Sequence, residues 1–172
     1  QPFTDALALY AIPLIANNIV SLYRGEGTDE QWSKVCLSGT IGGMVINTAG
    51  ITLGHAMEHP VSGLKDITHG RGLAAIEPAA IEATYRYNRF KFGRIARMLG
   101  GFTAEDCAPR MRTLLKSLDL DVALGDLGIG KKDIPWLARN ARKVSPGNLV
   151  NTPGSESTTS EESLENLYAS MI

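Results

Sequence analysis

Apolar residues recur at helical spacing along almost the whole chain of 172 residues. No run of four to eight residues alternates apolar and polar positions between turn signals, as a half-buried strand would. The pattern therefore predicts an all-α fold, a bundle of about seven or eight helices without a sheet. We expect residues 1–172 to form a single domain.

The first predicted helices are defined by their capping residues. Thr4 is the expected N-cap of a helix that runs to about Tyr23, with a kink at Pro13. Thr28 and Gln31 have the spacing of a capping box, which predicts the start of a second helix.

The second predicted helix contains the glycine-rich stretch SGTIGG at residues 38–43. Each glycine within a helix costs about 1 kcal/mol relative to alanine. We therefore expect the backbone of a neighbour to approach closely here, which would make this a buried central helix.

Proline, glycine and capping residues divide the remainder of the chain. A short helix is predicted at 52–59, with a stop near Pro60, and a loop at 62–68 follows it. Another helix is expected from about residue 70, and further helices at 89–99, 103–118 and 132–143. A surface loop at 145–160 then leads to a last helix capped by Thr159 and Glu162.

Composition narrows the class of protein. Seventeen basic and eighteen acidic side chains give a net charge of -1, and no basic stripe favours nucleic acid as a partner. The most apolar stretch, 6–20, is too short and too polar to span a membrane. Cys36 and Cys107 form no CxxC pair, so we expect a reducing cytoplasm. Because the chain opens on Gln1 without an initiating Met, we expect that an upstream part is missing.

The three histidines of the chain, His55, His59 and His69, fall within fifteen residues of one another. His55 and His59 are four residues apart, so on a helix their rings project from the same face. His69 can fold back across the intervening loop to face them. Imidazole binds metals and titrates near neutral pH, so the cluster predicts a metal site or a site of proton transfer.

One alternative is a metalloprotease, because His55–His59 reads HAMEH and matches the HxxEH zinc motif with Glu58 as the base. Such a site would need another glutamate downstream, yet none lies between Glu105 and Glu156. This function is therefore disfavoured, and we expect Glu58 to be solvated or salt-bridged.

Residues 125–132, GDLGIGKK, nearly spell a phosphate-binding loop. The segment ends in Lys where Ser or Thr must hold magnesium, and it follows a helical segment instead of a strand. We expect a plain turn into a helix capped near Lys131 or Lys132, with Pro135 in its first turn.

The segment 54–70, GHAMEHPVSGLKDITHG, resembles the signature of the iron-containing (group III) alcohol dehydrogenases, H-x-x-x-H-P-[LV]-x-[GA] followed by His-Gly. Residues 4–7, 132–135 and 159–168 also resemble parts of that family. The resemblance implies the all-helical, dehydroquinate synthase-like C-terminal domain of such an enzyme. The complete enzyme would transfer a hydride between an alcohol or aldehyde and NAD(P).

The resemblance also implies roles for the histidines. His55 and His69 match the metal ligands for Fe(II), or in some members zinc, and His59 matches the catalytic histidine beside the substrate and the nicotinamide. The remaining ligands, an Asp and a His spaced D-x-x-x-H, and the nucleotide-binding domain would lie upstream and are absent from this chain. A homo-oligomer is a possible state of the complete enzyme.

We accordingly expect the chain alone to lack dehydrogenase activity and to bind divalent metal weakly or not at all, since only two of four ligands are present. The alternative from another class is a non-catalytic helical fragment or interaction module.

Overall fold

The computed structural model describes all 172 residues, and its regular structure is entirely helical. The predicted all-α class is therefore confirmed. Eight of the eleven α-helices contain nine or more residues, and four short 3₁₀ segments accompany them. The α-helices are α1 (Pro2–Ala16), α2 (Ile19–Tyr23), α3 (Asp29–Ala49), α4 (Leu53–Lys65), α5 (His69–Thr84), α6 (Arg89–Met98), α7 (Cys107–Lys116), α8 (Ile134–Val144), α9 (Pro146–Val150), α10 (Ser155–Thr158) and α11 (Glu161–Ala169).

The start of α3 confirms the capping box, because the Thr28 side chain accepts from the Gln31 backbone N–H and the Gln31 side chain accepts from the Thr28 N–H. The predicted cap of α1 at Thr4 is wrong. Gln1 is the N-cap, and the Thr4 hydroxyl donates to the Gln1 carbonyl over 3.2 Å. Proline at the first helical position needs no hydrogen-bond partner for its nitrogen, which explains the earlier start.

The predicted continuous helix to Tyr23 is interrupted after Ala16. The side-chain amide of Asn18 donates to the Leu14 carbonyl over 2.8 Å. Asparagine side chains compete in this way with the backbone ladder of a helix, so α2 starts afresh at Ile19.

The predicted surface loop at 145–160 is wrong in part, because it contains the short helices α9 and α10 and buries Leu149, Thr152 and Thr158. The last helix is capped by Ser160, one residue after the predicted Thr159, and the Ser160 hydroxyl accepts from the Ser163 N–H. The segment 125–132 leads into α8 with Pro135 in the first turn, as predicted. It contains 3₁₀ structure instead of a plain turn, and the N-cap of α8 is Asp133, one residue after the predicted Lys132.

The chain divides into two compact units. The first comprises residues 1–50 and 90–118, in which α1 and α2 pack along α3. An ion pair of 2.8 Å between Lys91 Nζ and Asp5 Oδ1 joins α6 to α1. The buried apolar residues of this first unit are mostly small: Ala11, Leu22, Ile41, Ala96, Ala104, Cys107 and Ala108.

Helix α3 is not the buried central helix that the sequence predicts. Only Ser38 and Ile41 are buried, and Trp32 and Met44 are 55% and 54% exposed. A methyl group added at any of its three glycines would meet nothing within 4 Å. The prediction was wrong because a missing side chain permits close packing without supplying a neighbour.

The second unit comprises residues 51–89 and 119–172 and contains the main hydrophobic core. Helix α4 packs against α5, α8 and α9, and α11 packs against α8. The largest apolar contributors are Leu53, Met57, Ile76, Leu124, Leu137, Leu164 and Tyr168. This core surrounds the helix that carries two of the three histidines.

Helices α4 and α5 pack reciprocally, with a glycine of each helix facing a glutamate of the other. A Cβ added at Gly72 in α5 would lie 2.5 Å from Oε1 of Glu58 in α4. A Cβ added at Gly54 in α4 would overlap the carboxyl of Glu77 in α5. Burial raises the pKa of the Glu77 carboxyl. Each glycine therefore makes room for a carboxyl group between the two helices.

Helix α4 runs through Pro60 to Lys65 and ends at Asp66, whose φ of 52° is left-handed. The predicted stop near Pro60, with a loop from residue 62, is wrong. Proline removes one backbone hydrogen bond from a helix, but burial of Met57 and Val61 holds the helix together across that gap.

The Tyr168 hydroxyl in α11 donates to the Met57 carbonyl over 2.6 Å, within the turn of α4 that Pro60 weakens. Tyr168 is fully buried, and burial raises the pKa of its phenol far above the ordinary value, with the nearby Glu58 carboxylate adding to the shift. Tyr168 therefore holds the part of α4 that lies between His55 and His59.

No single helix of the chain is long and apolar enough to cross a membrane; α3 and α4 meet that test only when taken together as a bent pair.

We expect Gly72→Ala to lower the free energy of unfolding by about 1–3 kcal/mol, because the added methyl must displace the buried Glu58 carboxyl. Urea denaturation measures the change. The matched control is Gly63→Ala in α4, where a Cβ meets nothing within 4 Å, and helix propensity predicts an unchanged or slightly higher stability. Equal stability of the Gly72→Ala and wild-type proteins would contradict the packing argument.

We expect Tyr168→Phe to lower the free energy of unfolding by about 0.5–1.5 kcal/mol, since it removes a buried hydrogen bond to the Met57 carbonyl, which keeps its backbone partner within α4. The exposed Tyr10 supplies the control, because Tyr10→Phe removes a solvated hydroxyl and should leave stability unchanged. Thermal and urea unfolding of both variants test this, and similar values for the two would count against the role of Tyr168.

Candidate metal and substrate site

The three histidine rings lie together in the second unit. His55 and His59 lie one turn apart on α4, with ring centroids 6.1 Å apart. His69, the first residue of α5, lies 5.3 Å from the His55 ring and 5.8 Å from the His59 ring. The structure therefore brings together all three residues that the sequence singled out.

The short connection between α4 and α5 positions His69. Asp66 adopts the left-handed conformation that Asp tolerates better than most residues, and it reverses the chain after α4. The Ile67 carbonyl lies 2.9 Å from the Ser62 hydroxyl of α4. Thr68 then precedes the first turn of α5, which returns His69 to the side of α4 that carries His55 and His59.

Two of the rings are held through Nδ1. His69 Nδ1 hydrogen-bonds the Glu58 carboxylate at Oε2, and His59 Nδ1 lies 3.2 Å from the Ser145 hydroxyl. In both rings Nε2 is then the nitrogen left for a metal or a substrate, because a ring nitrogen engaged by a second group fixes the role of the other. His59 and His69 are both exposed residues.

His55 is half-buried, and its pKa lies below the ordinary value, mainly because burial disfavours the charged ring. The neighbouring His69 and His59 lower this pKa further, whereas Glu58 opposes the shift. A neutral imidazole keeps a lone pair available, which is the form that binds metal.

Glu58 is fully buried, and its carboxylate hydrogen-bonds both His69 and the Ser62 hydroxyl. The sequence left open whether Glu58 is solvated or salt-bridged. Solvation is wrong, and the residue is instead paired with His69. Its burial also argues against the protease alternative, which needs a glutamate that reaches a bound water. The signal in the sequence was the spacing of Glu58 and Ser62, four residues apart on a helix whose other positions are largely apolar.

Sequence reasoning missed Ser145, which is buried at the junction of α8 and α9. It lies 86 residues from His59 in the chain, and only the packing of α4 against α8 and α9 brings the two together. A lone serine in a Ser- and Pro-rich stretch carries no local sign of such a role.

Glu58, His59 and His69 have ligand-type atoms within 4.8 Å of one another and could in principle hold an ion. The carboxylate is already bonded to the His69 ring and to Ser62, and it is sealed from solvent. Imidazole nitrogens suit iron and zinc, so the exposed side of the histidine cluster fits a divalent metal better than the Glu58 side does.

Comparison with known proteins gives a consistent result. The chain is 31% identical over 161 residues to a 1,3-propanediol dehydrogenase of Klebsiella pneumoniae and 29% identical over 146 residues to a lactaldehyde reductase of Escherichia coli K12. These alignments cover 89% and 80% of the chain but 41% and 38% of the relatives. The chain therefore spans less than half the length of the curated relatives it matches.

A solved structure, the H277A mutant of an alcohol dehydrogenase from an archaeal halo-thermophilic source in a Red Sea brine pool, matches with a TM-score of 0.91 and 27% identity. That match covers 100% of this chain and 45% of the other. The model of the C-terminal part of the Fe-containing alcohol dehydrogenase family matches residues 1–171. The resemblance found in the histidine segment is thus confirmed, and this chain belongs to the Fe-containing alcohol dehydrogenase family as its C-terminal domain.

Proposed function

We propose that this chain supplies the metal and substrate side of an NAD(P)-dependent alcohol dehydrogenase. The observation that carries the proposal is the convergence of three imidazole rings with centroids 5.3 to 6.1 Å apart. His55 and His69 would hold Fe(II) or zinc, and His59 would lie beside the substrate and the nicotinamide. Assembly into homo-oligomers and location in a reducing cytoplasm stay predictions.

The donor set fits a divalent ion. His69 presents Nε2 because Glu58 engages Nδ1, and burial lowers the pKa of His55, which favours its neutral form. Two neutral imidazoles are too few for a catalytic site, which normally has three or more protein ligands. The family resemblance would add an Asp and a His from an upstream segment.

When bound, the metal would act as a Lewis acid on the alcohol oxygen, and NAD(P) would accept the hydride. His59 would take the released proton at Nε2 or hold the nicotinamide end of the cofactor in place, because Ser145 engages Nδ1. The names of the relatives favour small alcohols and aldehydes such as 1,3-propanediol and lactaldehyde as substrates.

The test uses the complete protein that carries this chain, loaded with Fe(II) or zinc under anaerobic conditions. We expect NAD(P)-dependent oxidation of 1,3-propanediol or reduction of lactaldehyde. His55→Ala and His69→Ala should lower both metal content and turnover by more than about 100-fold, since even groups outside the ligand shell change metal affinity by 10–100-fold. His59→Ala should retain the metal and lose turnover. Undiminished metal content in the first two variants would refute the assignment.

The chain by itself should bind Fe(II) or zinc weakly or not at all and should show no dehydrogenase activity. The exposed side of the cluster offers imidazole rings and no carboxylate, because Glu58 is committed to His69 and Ser62. Isothermal titration calorimetry on the 172-residue chain measures the affinity. A tight site that involves His55, His59 and His69 together would contradict this expectation and make His59 a ligand.

A further inference from the structure

We propose that Glu58 is a positioning residue for His69: its buried carboxylate accepts a hydrogen bond from Nδ1–H, fixes the tautomer and orientation of the ring, and so presents Nε2. The metal-binding consequence rests on the proposed function, in which His69 is a ligand. The orientation of the ring does not depend on it.

Glu58 and His69 differ strongly in burial, and this difference indicates which of them holds the other. The Glu58 side chain has no exposed surface, whereas the His69 side chain is 50% exposed. An imidazole that faces solvent on one side would rotate among several orientations unless a second group held it. The anchored partner of this pair is therefore the carboxylate, and the ring is the group that it orients.

Two further contacts fix the carboxylate. Ser62 lies one turn beyond Glu58 on α4, and its hydroxyl contacts Oε1 while Oε2 takes the His69 ring. Gly72 lies against Oε1, Cγ and Cδ of Glu58, and its missing Cβ leaves the space that this carboxylate occupies. A buried carboxylate is costly unless its oxygens have partners. His69 Nδ1 lies against Oε2, and the Ser62 hydroxyl, whose one proton also faces the Ile67 carbonyl, lies against Oε1.

The competing interpretation makes Glu58 itself a ligand, together with His59 and His69, since their ligand-type atoms lie within 4.8 Å. Oε2 and Nδ1 are hydrogen-bonded to each other, so they cannot both face one ion without breaking that bond. Metal-binding histidines usually donate the second ring N–H to a carboxylate or carbonyl, and His69 and Glu58 have this arrangement.

The experiment reads the tautomer of His69 in the metal-free complete protein by long-range ¹H–¹⁵N correlation on histidine-labelled samples, with His69→Ala assigning the signal. The same proteins are then titrated with zinc against a competing chelator. Glu58→Met keeps the volume and removes the acceptor, and Glu58→Gln keeps an acceptor oxygen. Glu82→Gln, at an exposed position of α5, is the matched control for loss of a carboxylate.

We expect the wild type to hold the proton on Nδ1, and Glu58→Gln to keep that form with a smaller loss of affinity. Glu58→Met should give mixed tautomers and a 10–100-fold weaker zinc affinity, the range found for groups that support metal ligands. The control should match the wild type in both measurements. If Glu58→Met does not fold, Ser62→Ala takes its place, because it frees one carboxylate oxygen and should give partial tautomer mixing and a several-fold loss.

An Nδ1 proton that persists in Glu58→Met would overturn the proposal. Where Ser62→Ala takes its place, an unchanged tautomer together with unchanged zinc affinity in that variant would overturn it. Loss of zinc in both Glu58 variants as complete as in His69→Ala, with the His69 proton on Nε2 in the wild type, would make Glu58 a ligand and would also overturn it. If the wild type binds no zinc, the proposed function fails, and the tautomer measurement still decides whether Glu58 orients His69.

Discussion

The close approach of α4 and α5 is the constraint on which the histidine cluster depends. Two glutamates enter this interface from opposite helices, and each faces a glycine of the partner helix, Gly72 for Glu58 and Gly54 for Glu77. With a methyl group at either position the helices would have to separate or a carboxyl would have to move. Because His69 begins α5 and both other histidines lie on α4, the spacing of the two helices sets the distance of the His69 ring from the other two.

Tertiary contacts from distant parts of the chain then hold α4 in place. Tyr168 donates to the Met57 carbonyl, and Ser145 lies against the His59 ring. Met57 lies between the two histidines of α4, in the turn that Pro60 deprives of a backbone hydrogen bond. The C-terminal third of the unit therefore acts on the site through the backbone and through one ring nitrogen, and it contributes no histidine of its own.

Periodicity and capping identified the fold class and the start of α3, because these depend on local interactions between residues three or four apart. The histidine cluster was predictable for the same reason, since His55 and His59 share a helix face. The extension of α4 through Pro60 was not predictable from local sequence. It is stabilised by the hydrogen bond from Tyr168 and by the burial of Met57 and Val61, and both depend on residues far away in the chain. The glycines of α3 were misleading, since low bulk is compatible with an exposed helix as well as a buried one.

Glu58 shows why the chemistry of a site cannot be taken from a motif alone. In the sequence it occupies the position of a protease base, between two histidines of an HxxEH pattern. The structure turns it inward, because it is followed by Pro60 and Val61 on the buried face of α4 and because Gly72 leaves space for it. The carboxylate that the motif would aim at a water instead holds a third histidine. The same His-Glu-His pattern can therefore stand in different arrangements, and the burial of the glutamate distinguishes them.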